Sequence, residues 1–139
     1  MKKYLFSLLL LAFFGNAFAQ THTNDGVRIH LLYKGNFDYN LKTTLNVDRP
    51  IALAAWTYTL LETNVEELTL LRGKEQTATL LFEKGKDYYF RISYPEPGSF
   101  YGANVDELSA NAFKLELYAN RRINTEPKMA KIWVKQDSE

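Results

Sequence analysis

The residues of this chain that could do chemistry are few, and their spacing is unhelpful to catalysis. There are two histidines, His22 and His30, and no cysteine. A metal centre needs several imidazole, thiolate or carboxylate ligands converging on one point, and neither H-E-x-x-H nor a paired-cysteine spacing occurs. No metal site and no cofactor is therefore expected. Without cysteine, nucleophilic chemistry would fall to a hydroxyl. None of Ser93, Ser99, Ser109 and Ser138 stands in G-x-S-x-G or S-x-x-K. Glu66-Glu67 and Asp106-Glu107 are adjacent carboxylates, but neighbours on a strand point to opposite faces. A turn or a helix start explains them better. Gly73-Lys74 and Gly85-Lys86 lack the glycine run and the following helix of a phosphate loop. No residue is assigned as catalytic, and the chain is read as a non-enzyme.

Aromatic residues are the other chemistry-bearing class. Tyr88, Phe90, Trp56 and Tyr58 fall at alternating positions and read as core. Tyr89 and Arg91 fall on the opposite face of the same strand as Tyr88 and Phe90, Phe100 and Tyr101 lie in a loop, and Trp133 lies near the end. Tyrosine and tryptophan dominate many recognition surfaces. Tyr89, Arg91, Phe100 and Tyr101 thus form a candidate binding patch, in which Arg91 could equally stack on a tyrosine. His30 reads as an outward, solvated side chain on an edge-like strand, and His22 as part of a flexible lead-in.

The elements that must position these groups are mostly strands. Residues 77–94 alternate Ala78, Leu80, Phe82 and then Tyr88, Phe90, Ile92, Tyr94 against more polar partners, with Gly85 between. This predicts a hairpin with a three-residue loop, Glu83-Lys84-Gly85, needing positive φ only at glycine. That register sets Leu80 opposite Tyr88 and Ala78 opposite Phe90, leaving Tyr89 and Arg91 on a wetter face. Residues 27–33 and 41–47 alternate likewise, and residues 57–61 read as a central strand. Residues 65–71 are ambiguous between strand and helical turn, and 129–135 read as a last strand. Residues 94–104, with Pro95, Pro97, Gly98 and Gly102, form a long loop. Asn104-Val105-Asp106-Glu107 resembles a capped helix start. Phe113, Leu115 and Leu117 then alternate as in a strand, a pattern that outweighs the stripe Leu108, Ala112, Leu115, Ala119. Turn signals between short strands predict a mostly β fold, a single antiparallel β-sandwich of about seven strands with at most one short helix.

Residues 1–19 carry the three parts of a secretory signal peptide: Lys2-Lys3, an apolar run over 5–14 broken only by Ser7, and Ala17-Phe18-Ala19. The run is well short of the roughly 20 apolar residues a membrane span needs. Cleavage after Ala19 leaves 120 of the 139 residues, and loss of two lysines takes 17 basic residues to 15 against 16 acids, from +1 to −1. A near-neutral body offers no electrostatic footprint for nucleic acid. The reading divides the chain into a cleaved signal at 1–19, a flexible lead-in at 20–26, a domain at 27–135 and a charged tail at 136–139. No lipid-anchoring cysteine and no N-x-S/T site occur, which suits an exported protein, periplasmic or secreted, with no transmembrane anchor after cleavage.

Gly85–Ile92, G-K-D-Y-Y-F-R-I, followed by Phe113–Leu117, F-K-L-E-L, resembles a bacterial envelope family of unknown function. Its members carry a G-K-x-Y-Y-x-R hairpin on a transthyretin-like or PEGA-like sandwich. The resemblance spans residues 27–118 and implies a fold and an envelope location, but no reaction. This chain departs from those proteins in lacking a lipoprotein cysteine, and in having Glu66-Glu67-Leu68-Thr69 where they tend to have a Pro-Gly-x-His turn. The expected function is a non-catalytic exported protein acting through protein or envelope contacts. The alternative is a glycan- or peptide-binding module using aromatics near residues 95–104.

Overall fold

Strand β1 (Val27–Lys34) is the centre of the molecule. Val27, Ile29, Leu31 and Tyr33 recur at every second position and are all buried, as the period of a pleated strand requires. A computed structural model describes residues 25–35, 39–42, 50–73, 75–93 and 103–135. The signal segment, most of the lead-in with His22, residues 43–47 of the second expected strand, the 94–102 loop with Phe100 and Tyr101, and the tail lie outside the described residues.

The described residues are mostly β, with nine strands in two sheets and one helix. The elements after β1 are β2 (Tyr39–Lys42), β3 (Ile51–Leu53), β4 (Thr57–Thr63), β5 (Glu67–Arg72), β6 (Glu75–Leu81) and β7 (Asp87–Ser93). Strand β8 (Asn104–Glu107), helix α1 (Ala110–Ala119) and strand β9 (Lys128–Ile132) complete the order. One sheet runs β8-β7-β1-β4-β9 and the other β3-β2-β5-β6. The expectation of purely antiparallel pairing is corrected in the first of these. There β1 pairs in parallel with β7, and β4 in parallel with β9. The two sheets share one core, in which Ile29, Leu31 and Ile92 of the first meet Leu41, Leu68 and Leu70 of the second.

The expected 77–94 hairpin does not form. Strand β6 pairs with β5, Leu80 opposite Leu68 and Ala78 opposite Leu70, whereas β7 pairs with β1 in the other sheet. Alternation states which side chains share a face, not which strand lies alongside, so it could not choose between these partners. Gly85 has φ +79 as the turn reading required. Its N–H donates to the Gly26 carbonyl at 2.8 Å, tying the crossing between sheets to the start of β1. Phe82 still meets Tyr88 and Phe90, with ring centroids 5.3 and 6.1 Å apart. A tight hairpin instead joins β5 to β6 around Gly73, φ +61.

Residues 104–119 invert their expected assignments. Asn104–Glu107 is strand β8, antiparallel to β7, with Asp106 opposite Arg91. Residues 113–117 are helical. Ser109 is the N-cap, its Oγ accepting from the Ala112 N–H at 3.1 Å. The alternation of Phe113, Leu115 and Leu117 was misleading because only Phe113 and Leu117, one helical turn apart, are buried; Leu115 is 73% exposed. Alanine, leucine, glutamate and lysine are good helix formers, and the helix has an apolar seat on the sheet. That seat is the outer face of the five-stranded sheet, where Leu32, Phe113, Leu117 and Ile123 form a second buried cluster.

Two placements follow. The core side of β4 is Thr59, Leu61 and Thr63, while Trp56 and Tyr58 pack against the cluster beneath α1. His30 is on the central strand of its sheet rather than an edge. Strand β9 is an edge strand, and Asn64 holds the chain just beyond it by two hydrogen bonds to the Val134 backbone, of 2.6 and 2.9 Å. Among the described residues, no helix is long and apolar enough to cross a membrane.

Candidate functional site

The outer face of the five-stranded sheet carries the residues that could have been reactive. Parallel pairing sets Arg28 beside Asp87, His30 beside Tyr89 and Leu32 beside Arg91. Arg28 donates through Nε and Nη2 to both oxygens of Asp87, each at 3.1 Å, the two-pronged geometry that suits guanidinium and carboxylate. His30 stacks on Tyr89, centroids 4.4 Å apart and rings within 13° of parallel. Its Nδ1 shares a 2.6 Å hydrogen bond with the Tyr58 hydroxyl. Phe113 of α1 meets all three rings from above, at centroid distances of 5.2 to 5.9 Å.

Burial governs the proton affinities here. It pushes the His30 imidazole below its ordinary value; Asp87 acts against that shift and Arg28 with it. The phenols of Tyr58 and Tyr89 are raised, chiefly by the same loss of water, then by the Tyr89 charge for Tyr58 and by the Asp87 charge for Tyr89. The imidazole thus packs against the Tyr89 ring and the Tyr58 hydroxyl beneath Phe113.

Of the sequence-derived patch, Tyr89 and Arg91 share this face, while Phe100 and Tyr101 lie outside the described residues. The expected wet face is in fact roofed by α1. Among the described residues Arg91 stacks on no tyrosine; Nε and Nη2 donate to Asp106 Oδ2 at 3.2 and 2.8 Å, and Nη1 donates to Glu116. Hydrogen bonding to Asp106 is the main reason its proton is held even more tightly than in free guanidinium. Lys34 Nζ donates to the other Glu116 oxygen at 2.7 Å. This chain of charges ties β1, β7 and β8 to the helix. Trp133, half exposed, has the Lys131 ammonium 5.1 Å from its ring centroid.

The site that sequence reasoning missed is at the end of the same face, around Trp56. The chain turns from β3 into β4 through Ala54-Ala55-Trp56, and the Thr57 hydroxyl closes the turn by donating to the Ala54 carbonyl at 2.5 Å. Trp56 has φ +54, the only non-glycine residue with positive φ among those described. That conformation is disfavoured for a bulky side chain. The Arg122 guanidinium lies 5.1 Å above its ring. Trp56 and Arg122 together separate two clefts. One, of about 460 Å³, is lined further by Lys34, Glu116, Asn120 and Arg121. The other, of about 360 Å³, takes in Thr57, Tyr58, Asn124, Glu126 and Lys128. Two Asn side chains shape the rim: Asn120 Oδ1 accepts from the Arg122 N–H and Asn124 Oδ1 from the Glu126 N–H, both at 3.0 Å. The amide NH₂ groups are left as donors. The usable sequence signal was N-R-R-I-N-T-E-P at residues 120–127, a run of turn-forming and cationic residues just after the helix.

No family model, no curated protein and no solved structure matches the chain. The fold and site therefore define the protein by themselves. It is a two-sheet, mostly β body with one helix roofing the five-stranded sheet and a pair of clefts divided by a stacked tryptophan and arginine.

Proposed function

We propose that the protein is exported and non-catalytic, a β-sandwich-like body that works through surface contacts in the cell envelope or beyond it, and that the Trp56–Arg122 rim makes those contacts. Trp56 carries this reading. A bulky residue kept in a costly backbone conformation beside two clefts is the kind of strain that accumulates at binding sites. Non-catalysis is supported by how the polar groups are spent: His30 is stacked and hydrogen-bonded beneath Phe113. The Arg28, Arg91 and Lys34 charges are matched by Asp87, Asp106 and Glu116. Export rests on the Lys2-Lys3, apolar and Ala17-Phe18-Ala19 pattern of residues 1–19.

Site-specific photocrosslinking in intact cells tests the proposal. A crosslinker at Arg121, on the rim, should give discrete adducts in the envelope or exported fraction. The same group at Lys84 should not, because Gly85 is tied to the start of β1 whereas Trp56 precedes the β4 residue that pairs near its end. Equal labelling at both positions, or a protein confined to the cytoplasm with residues 1–19 retained, would overturn it. A second reading, a glycan- or peptide-binding module, gains from the same clefts, with its site moved from the 95–104 loop to Trp56.

A further inference from the structure

The lining of the two clefts is unusually one-sided in hydrogen-bonding sense. Arg121, Arg122, Lys128 and the NH₂ groups of Asn120 and Asn124 are all donors. Lys34 and Glu116 are paired with each other, and Glu116 also accepts from Arg91. Glu126 is the one remaining carboxylate on the lining. A ligand seated here has to be rich in acceptors and negatively charged. The Arg122 guanidinium, 5.1 Å over the Trp56 ring and bordering both clefts, is the group whose planar fork suits a carboxylate through two N–H groups. Because Arg122 and Trp56 border both clefts, one bound carboxylate would have a continuation of its chain on either side.

We infer that this rim binds an acidic oligosaccharide, a run of uronic-acid sugars, with Arg122 taking a carboxylate and the surrounding donors taking hydroxyl and ring oxygens. An acidic peptide fits less well, since it brings a backbone N–H at nearly every residue and the clefts offer few acceptors to receive them. Sugar hydroxyls can accept as readily as they donate, so they match a donor-rich wall. The aromatic flank of Trp56 suits the C–H face of a sugar ring. The inference deepens the proposed contact role of the Trp56 rim and rests on it.

Titration calorimetry of the protein with a trigalacturonate, a neutral maltotriose and a tetraglutamate tests it. The uronate should bind and the neutral sugar should not. Arg122→Gln should weaken uronate binding by about tenfold or more, the loss expected for a charged two-pronged hydrogen bond, while the melting temperature falls only slightly with loss of the exposed contact to Trp56. Arg122→Lys should restore only part of it, because an ammonium offers no planar fork. Tetraglutamate binding as tightly as the uronate, maltotriose binding equally well, no heat with any probe at millimolar concentration, or uronate binding indifferent to Arg122→Gln would each overturn it. Adducts at Arg121 in cells alongside a silent titration would sink the sugar assignment while leaving the contact role standing.

Discussion

The inner and outer faces of the five-stranded sheet receive alternate side chains from the same strands, yet they are held by different physics. Inward, Ile29, Leu31, Leu61 and Ile92 are completely excluded from water, and their contribution is non-directional burial of apolar area. Outward, the same strands supply His30, Tyr58, Tyr89, Arg28 and Arg91, joined by ring stacking, hydrogen bonds and ion pairs to one another and to α1. The inner face should ignore salt and mild acid. The outer face should feel both. A protein of this size can thus carry a titratable, polar layer because a separate apolar layer holds the sheets together.

The largest blow to that comparison would come from Phe90→Ala. Phe90 is 6% exposed and packs against Phe82 and its same-face strand neighbour Tyr88, so truncation is expected to cost ~3–5 kcal/mol in a denaturant melt. That loss should be the same in low and high salt. Arg91→Ala on the outer face should cost about 1 kcal/mol, since its side chain keeps 32% of its exposure and solvent weakens its pairs with Asp106 and Glu116. Its penalty should shrink between roughly 0.1 M and 1 M salt. A salt-independent Arg91 penalty as large as that of Phe90 would erase the distinction between faces.

Acid is a gentler probe of the outer face. Folded His30 binds its proton less readily than an unfolded imidazole, whose ordinary value is 6.5. Between the two values the unfolded chain holds more protons, so stability falls as pH drops below about 6.5 and stops falling once the folded imidazole is itself charged. The folded chain should therefore lose stability from pH 7.5 to pH 5.5. His30→Phe, which keeps a ring against Tyr89 but cannot titrate, should flatten that profile. An unchanged slope in the variant would remove His30 from the account.

The strands were legible in the sequence wherever one face is buried against apolar partners: β1 follows its alternation closely, whereas β4 is a strand as expected but turns Thr59, Leu61 and Thr63, rather than Trp56 and Tyr58, to the core between the sheets. Pairing was not legible, because β6 and β7 share a glycine turn but enter different sheets, and alternation is blind to that choice. The helix was hidden because Leu115, exposed, falls between two buried residues and counterfeits a strand. Half of the candidate patch, Phe100 and Tyr101, lies outside the described residues. Tyr89 and Arg91 do share the outer face, where Phe113 of α1 meets the Tyr89 ring and Glu116 accepts from Arg91. Trp56 and Arg122 are 66 residues apart in sequence, and what marks the tryptophan is a backbone angle that no side-chain pattern reveals.

The smallest expected effect is also the sharpest test of that angle. Trp56→Gly removes a half-buried ring, which lowers stability, and removes the left-handed penalty of roughly 1–2 kcal/mol, which raises it. The two nearly cancel, and the net change in melting free energy should stay within about 1 kcal/mol. Trp56→Ala loses the same ring yet retains a Cβ, and so retains the strain. Outside such a position alanine is ordinarily the more stable of the pair, because glycine gives up more chain entropy on folding. Here the order should invert, glycine melting above alanine. If alanine proves the more stable, Trp56 is not strained, and the argument that a cost is being borne there for the sake of contact loses its footing.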